Sequence, residues 1–260
     1  MRYSWSTGGQ GAVEGIDRAE GSLWLCSIGD EVSVEVDRCC HDVLSAQRCV
    51  SWAAFRFATH RRQYLHSHYF LRCVLSTQTG VDPAQLRFST DLLGKPWLDG
   101  GSLNFNLSHT SGVAACCASA GSLCGVDVER HRPLPDMDLV AERNFSVAER
   151  TLLGQATSGT ESELFFRIWT LKEAYIKALG VGLSVELTTF SVLPRQDGIG
   201  EVRHGAKSAP RTASWSVYWW EFADGFHVAA AFSGRVDRPR ITMIKLEDLV
   251  TNGGYYENAH

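Results

Sequence analysis

The sequence lacks any hydrophobic run long enough to cross a membrane. Residues 1–21 are polar and rich in glycine, without the apolar segment of a secretory signal. The least charged stretch, residues 112–126, consists of small residues and is too short and too weakly hydrophobic to span a bilayer. We therefore expect a cytoplasmic protein with a flexible extension at 1–21 and a flexible tail at 251–260.

A strong overall charge is also missing. The formal net charge is −4 and the isoelectric point is near 6.1. A net negative charge does not attract nucleic acid or anionic membranes, so any phosphate-binding site must come from local basic residues.

The eight cysteines show no Cys-x-x-Cys spacing, which argues against a zinc or dithiol redox site. The neighbouring pairs Cys39–Cys40 and Cys116–Cys117 cannot share one strand face. In a reducing compartment these residues are expected to be small apolar packing groups.

Three common catalytic motifs are absent from the sequence: the Gly-x-Gly-x-x-Gly loop, the Walker loop and the Gly-x-Ser-x-Gly elbow. Their absence argues against Rossmann dehydrogenases, P-loop kinases and serine hydrolases. Metal-assisted phosphate chemistry remains as a candidate class.

At 260 residues and 44% hydrophobic content, the chain can bury a substantial core. Periodicity and turn residues predict an α+β order of elements. Strands are predicted at 23–28, 86–89, 103–107, 113–119, 123–129, 187–193, 214–222 and 226–232. Helices are predicted at 43–57, 61–78, 139–144, 147–155 and 163–179.

The order of strand, helices and strands occurs twice, which predicts two similar α/β halves at 22–112 and 113–250. In this scheme residues 113–119 and 123–129 form a hairpin around Ala120-Gly121-Ser122.

Asp127 and Glu129 share one face of their predicted strand, about 7 Å apart along the chain. Alternation alone favours a solvent-facing strand. The same pair could also provide oxygen ligands for a hard cation such as Mg²⁺. Strand geometry alone leaves both interpretations open.

Glu173 is unusual because its predicted helix has two apolar faces. Beside the core stripe, Phe166, Trp169 and Ile176 surround the position of this acid. A carboxylate removed from water needs a cation, hydrogen bonds or a proton. Lys177, four residues later, could be a simple ion-pair partner.

Ser108 and His109 end a predicted strand, where a hydroxyl and an imidazole could both contact phosphate oxygens. Such a pair is also common in ordinary loops. Arg61, Arg62 and Arg72 on the helix at 61–78 fit a solvated basic face as well as an anion site.

Five blocks in a fixed order carry a resemblance to a known family. They are Gly94-Lys95-Pro96, Asn106-Leu107-Ser108-His109, Gly125-Val126-Asp127-Val128-Glu129, Phe145-Ser146 with Glu149, and Trp169-Thr170-Leu171-Lys172-Glu173-Ala174 with Lys177. Together they resemble the Sfp-type 4′-phosphopantetheinyl transferases over about residues 23–250.

The resemblance implies a monomer of two similar α/β subdomains with coenzyme A between them. The reaction it implies is Mg²⁺-dependent, with Mn²⁺ as an alternative ion. It moves phosphopantetheine from coenzyme A to a serine of an apo acyl or peptidyl carrier protein, in polyketide or nonribosomal-peptide synthesis. Asp127, Glu129 and Glu173 match the metal-binding acids, and Glu173 with Lys177 matches the catalytic pair.

Further site residues follow from the same resemblance. The residues expected to contact coenzyme A are Lys95, Ser108, His109, Lys172 and three arginines, Arg48, Arg56 and Arg62. The sequence departs from the family at Gln47, a position that is often charged in family members. Glu149 is expected to orient water or the incoming serine. The carrier is expected to contact residues 145–155.

Two rival classes remain open on the sequence. One is a magnesium phosphodiesterase or nucleotidyl transferase that uses the same acids on another diphosphate. The other is a catalytically silent carrier-binding module, against which the intact acids and Lys177 argue.

Overall fold

The computed structural model describes residues 2–3, 21–29, 32–44, 57–182, 185–204 and 214–251. The predicted helix at 43–57 therefore lies largely outside the described residues, as do Gln47, Arg48 and Arg56. The other predicted helices and strands are present, with ends shifted by a few residues.

The strands of the described residues are β1 (Arg2–Tyr3), β2 (Ser22–Ser27), β3 (Phe88–Thr90), β4 (Pro96–Leu98), β5 (Asn104–Thr110), β6 (Val113–Ser119), β7 (Cys124–Arg130), β8 (Phe190–Pro194), β9 (Gly200–His204), β10 (Trp215–Phe222), β11 (Phe226–Ser233) and β12 (Ile241–Lys245). The α-helices are α1 (Val34–Leu44), α2 (Ala58–Thr79), α3 (Met137–Asn144), α4 (Val147–Gly154), α5 (Glu161–Leu179) and α6 (Leu246–Thr251). A short 3₁₀ helix, Leu187–Thr189, precedes β8.

Local sequence explains where the main helices begin and end. α2 and α5 both stop at a glycine in the left-handed conformation, Gly80 and Gly180, which a residue with a Cβ adopts only with strain. At the start of α4, Ser146 and Glu149 form a capping box, so each side chain accepts from the other residue's backbone N–H.

Two four-stranded sheets carry the fold, in the orders β12-β2-β6-β5 and β1-β10-β11-β7. In each sheet, two strands that follow one another in the sequence form an antiparallel hairpin: β5 with β6, and β10 with β11. The second strand of each hairpin is a central strand of its sheet. In addition, β12 pairs parallel with β2, and β1 pairs parallel with β10. The repeated order of strand, helices and strands therefore corresponds to a repeated sheet topology.

The predicted hairpin of β6 and β7 is wrong. β6 pairs with β2 and β5, whereas β7 pairs with β11. Every residue of β6 is buried, as a central strand covered on both faces requires. The sheets thus change between β6 and β7, after Ser119, and the strand pairing does not divide the chain at Gly112.

The sheets pack face to face, with helices on the outer faces. Val126 and Val128 of β7 join Leu23 and Leu25 of β2 in the core between the sheets. Outside this core, α1, α2 and α6 cover one sheet, while α5 covers the other. α3 and α4 pack against the first half of α5.

The seven described cysteines are free, and all except Cys39 are buried. Burial raises the pKa of the Cys26 and Cys116 thiols, which keeps them protonated. They are packing residues, as predicted. In the described part of the chain, none of the helices has the length and apolar character that a transmembrane helix needs.

Candidate active site

The site forms where α5 crosses β7 at very short distance. A Cβ atom on Gly125 would lie only 2.2 Å from the carbonyl oxygen of Ala174 and 2.3 Å from the amide nitrogen of Ala178. Only glycine at this position permits such an approach. The close packing brings Glu173 and Lys177 of the helix to the face of β7 that carries Asp127.

Asp127, Lys177 and Ser108 form a hydrogen-bonded triangle. Lys177 Nζ lies 2.6 Å from Asp127 Oδ1 and donates to Ser108 Oγ at 3.0 Å. The Ser108 hydroxyl donates to the same Asp127 oxygen at 2.9 Å. The triangle joins β5, β7 and α5, so residues predicted from three separate blocks meet in one place.

The second oxygen of Asp127 is buried and has no hydrogen-bond partner among the described residues. Since Asp127 is only 4% exposed, water cannot freely compensate for the missing partner. A buried carboxylate oxygen of this kind is suited to a cation ligand or a donor brought by substrate.

Glu129 and Glu173 belong to the same electrostatic environment. Desolvation raises the pKa of each, and the nearby charge of Asp127 raises it further. Arg132 opposes the effect at Glu129, to which it donates at 3.0 Å, and Lys177 opposes it at both acids. The predicted solvent-facing alternative for the Asp127 face does not fit, because that face is covered by α5.

The three acids provide the oxygen donors that Mg²⁺ prefers, and the free Asp127 oxygen fits such an ion. Across the described residues, however, no three His, Cys, Asp or Glu side chains converge on one ion position. Glu129 is engaged by Arg132, so binding an ion would require its side chain to turn. The three acids therefore have the donor chemistry that Mg²⁺ requires, although they do not converge on one position in the described residues.

His109 is exposed at the end of β5, next to Ser108. Partial desolvation and the nearby Lys177 and His60 lower the pKa of its imidazole. The effect of Lys177 on this pKa shows that the imidazole lies near the ammonium of the Asp127 triangle.

Lys95 reaches the far end of α5. Its Nζ donates to the carbonyl oxygens of Lys177 at 2.9 Å and Ala178 at 3.1 Å. Burial lowers the pKa of this ammonium. The contact satisfies carbonyls that a helix end leaves unpaired, and it anchors the β3–β4 hairpin to α5.

Glu149 and Lys172 are buried together, away from solvent. Lys172 Nζ contacts both carboxylate oxygens of Glu149, at 3.0 and 2.7 Å, and also donates to the carbonyls of Leu187 and Phe190. Glu149 further accepts from the backbone N–H groups of Ser146 and Val192. These contacts engage both side chains and join α4, α5 and β8. The contact of Lys172 with coenzyme A and the role of Glu149 toward water or the incoming serine stay predictions.

Arg62 lies at a separate cavity of about 430 Å³ between α1 and α2, which Arg61 and Asp37 also line. Its guanidinium is 3.2 Å from Asp37 Oδ2, and His66 Nε2 is 2.6 Å from Asp37 Oδ1. Asp37 was not singled out from the sequence, because nothing local shows that α1 and α2 pack at this point.

Comparisons with known proteins show which family this chain resembles. Residues 123–231 match the family model of the 4′-phosphopantetheinyl transferase superfamily. The chain is 32% identical to 4′-phosphopantetheinyl transferase Sfp of Bacillus subtilis over 182 residues, covering 69% of this chain and 78% of Sfp. It is 36% identical to 4′-phosphopantetheinyl transferase HetI of a Nostoc strain over 145 residues, covering 54% of this chain and 61% of HetI.

Among solved structures, the holo-[acyl-carrier-protein] synthase of Thermotoga maritima matches 44% of this chain and 64% of its own at 25% identity, with a TM-score of 0.37. That score is too low for a comparison of the whole fold. The sequence relatives define a class of transferases, and the chain belongs to the 4′-phosphopantetheinyl transferase superfamily. Within it, the chain is of the Sfp type.

Proposed function

We propose that this chain transfers 4′-phosphopantetheine from coenzyme A to a serine of an apo carrier protein. The observation that carries the proposal is the triangle of Asp127, Lys177 and Ser108, with Glu173 on the adjacent helix face. It combines a buried carboxylate, a cation and a hydroxyl donor, and Asp127 and Lys177 fall within residues 123–231, which match the family model.

Asp127, Glu129 and Glu173 would hold Mg²⁺, with Mn²⁺ as an alternative. When bound, the ion supplies positive charge that stabilises the pyrophosphate oxygens. The free Asp127 oxygen supports this assignment.

The chain's own residues then serve the transfer as follows. Lys177 and Ser108 bind the phosphate oxygens next to the bond that breaks. Glu173 accepts the proton of the carrier serine, because a carboxylate held beside the cation stays ionised at neutral pH and can take up a proton. The serine oxygen forms a bond to the phosphorus that carries pantetheine. The bond from that phosphorus to the bridging oxygen breaks, and adenosine 3′,5′-bisphosphate leaves.

The rest of coenzyme A is proposed to lie along the first half. His109 would contact the phosphates beside Ser108, and Arg62 is a described candidate for the 3′-phosphate, together with Arg48 and Arg56 outside the described residues. Lys95 would stabilise the adenosine side of the site, because its ammonium donates a hydrogen bond to the end of α5. Lys172 and Glu149 support the site through their buried pair.

The carrier protein is proposed to dock along residues 145–155. Within that stretch Val147 is 71% exposed, whereas Phe145 is buried, so Val147 is the apolar side chain available to a partner. We propose a monomer, because a single chain supplies all three acids. Its similarity to Sfp-type relatives supports a proposed role in polyketide or nonribosomal-peptide synthesis.

Intact mass spectrometry of an apo carrier tests the proposal. Incubation with the protein, coenzyme A and MgCl₂ should add one phosphopantetheine group to the carrier, on serine. Carriers from fatty-acid, polyketide and nonribosomal-peptide systems, tested in parallel, identify the pathway. Hydrolysis of coenzyme A without any carrier modification would favour the rival phosphodiesterase, and binding of coenzyme A without turnover would favour a silent module.

A further inference from the structure

At the site, the edge strands of the two sheets lie side by side without being paired by backbone hydrogen bonds in the described residues. Among the described residues, β5 has its ladder with β6, and β7 has its ladder with β11. The open edges of β5 and β7 face each other. Outward N–H groups of β7 therefore need partners other than a neighbouring backbone carbonyl.

Side chains of β5 supply these partners. Asn106 Oδ1 accepts from the Val126 N–H at 3.0 Å, and Ser108 Oγ accepts from the Val128 N–H at 3.4 Å. The pairing 106 to 126 and 108 to 128 runs in the same direction on both strands. Where β5 meets β7, side chains of β5 thus take the place of the backbone carbonyls that a parallel neighbouring strand would supply.

The hydrogen bond that Asn106 accepts is the stronger of the two. Its length of 3.0 Å is typical of N–H···O bonds, whereas the 3.4 Å bond to Ser108 lies beyond the usual range. Ser108 also shares its oxygen with Asp127 and Lys177. Asn106 is therefore the residue that can set the register of β5 against β7 independently of the site.

We infer that Asn106 is a positioning residue for the transferase site. By fixing β5 against β7, it holds Ser108 Oγ opposite Asp127 Oδ1, at the observed 2.9 Å. A slip of the strand would move Ser108 away from both Asp127 and Lys177. The inference rests on the proposed transferase function only for its kinetic consequence, because the register itself can be measured without turnover.

The direct test is amide hydrogen exchange at Val126 in the full chain. The Asn106→Leu variant should lose protection at this amide, while Asn106→Asp, which keeps an oxygen acceptor, should retain it. Asn104→Leu is the matched control: Asn104 lies two residues earlier in β5, and its side chain makes no hydrogen bond to the described residues. Unchanged exchange in Asn106→Leu would overturn the inference.

Kinetics provide the second readout. Asn106→Leu should lower kcat/KM for coenzyme A roughly tenfold, the effect of one lost hydrogen bond, with KM for the carrier unchanged. Asn106→Asp should recover most of the loss. If Asn106 acts through Ser108, adding Asn106→Leu to Ser108→Ala should cost less than about threefold. If the losses in kcat/KM of the two single variants multiply in the double variant, the proposed action of Asn106 through Ser108 is contradicted. Absence of transfer by the unmodified chain would instead refute the proposed function, and the exchange experiment would still decide the role of Asn106.

Discussion

The ammonium nitrogen of Lys177 lies 2.6 Å from Oδ1 of Asp127, so the strongest cation–anion contact of the site joins α5 to β7. One acid of the site is thus partly neutralised by the chain itself. The remaining acids, Glu129 and Glu173, keep raised pKa values, which is the electrostatic condition that a bound cation relieves.

Asp127→Ala should reduce transfer by at least about a hundredfold, because it removes a proposed metal ligand and the partner of Lys177. The fold should persist, since removing this charge also removes its repulsion of Glu129 and Glu173. Initial rates and thermal unfolding of the same sample check both outcomes. Asp127→Asn, which preserves the shape, should be equally inactive; full activity in either variant would reject the metal assignment.

Glu173→Gln should abolish transfer and stabilise the metal-free protein at neutral pH. The folded pKa of Glu173 is raised above its usual value, so its ionised form is unfavourable in the fold. The unfavourable contribution is full above the folded pKa and disappears as the pH falls through it. The stability gain of the variant should therefore be largest near pH 8 and shrink toward pH 4.5. Denaturant unfolding of both proteins across this range measures the difference, and a gain that grows toward acid pH would contradict the assignment.

Lys172→Met should destabilise the fold by about 3–5 kcal/mol, because it leaves the charge of Glu149 buried without its partner. The double variant Lys172→Met, Glu149→Gln should recover part of the loss. Urea unfolding measures all three proteins. As a control, Lys245→Met, at the exposed last residue of β12, should change stability by less than about 0.5 kcal/mol. A stable but inactive Lys172→Met would instead give Lys172 the substrate contact first expected for it.

Gly125→Ala should lower both stability and transfer. The added methyl group meets backbone atoms of Ala174 and Ala178, so α5 must move and carry Glu173 and Lys177 with it. Overpacking of this kind costs about 1–3 kcal/mol. Gly121→Ala, where nothing lies within 4 Å of the new Cβ, is the matched control and should behave as the unmodified chain. Normal rates in Gly125→Ala would show that the site tolerates displacement of α5.

The parts of the fold that depend on local pattern could be predicted from the sequence. The second apolar face of α5 is confirmed, with Phe166 and Ile176 buried and Glu173 half-buried on the same helix. Asp127 and Glu129 alternate with valines of the core between the sheets, as strand geometry predicts. Joining the acids with Ser108 required the family resemblance, since they come from distant parts of the chain.

What depends on tertiary pairing could not be predicted. The pairing of β7 with β11 connects segments about a hundred residues apart, and a short turn at Gly121 suggested a nearer partner. In the same way, nothing near Lys172 in the sequence indicates that Glu149 will neutralise it. The contacts of Lys95 with α5 and of Lys172 with Glu149 appear only in the folded chain.

The most direct test measures both products of one reaction: holo-carrier by intact mass and adenosine 3′,5′-bisphosphate by chromatography, with and without Mg²⁺. The account predicts equal amounts of the two products, dependence of both on the ion and the carrier, and loss of both in Asp127→Ala. Formation of the bisphosphate without carrier modification, or full transfer by Asp127→Ala, would contradict it.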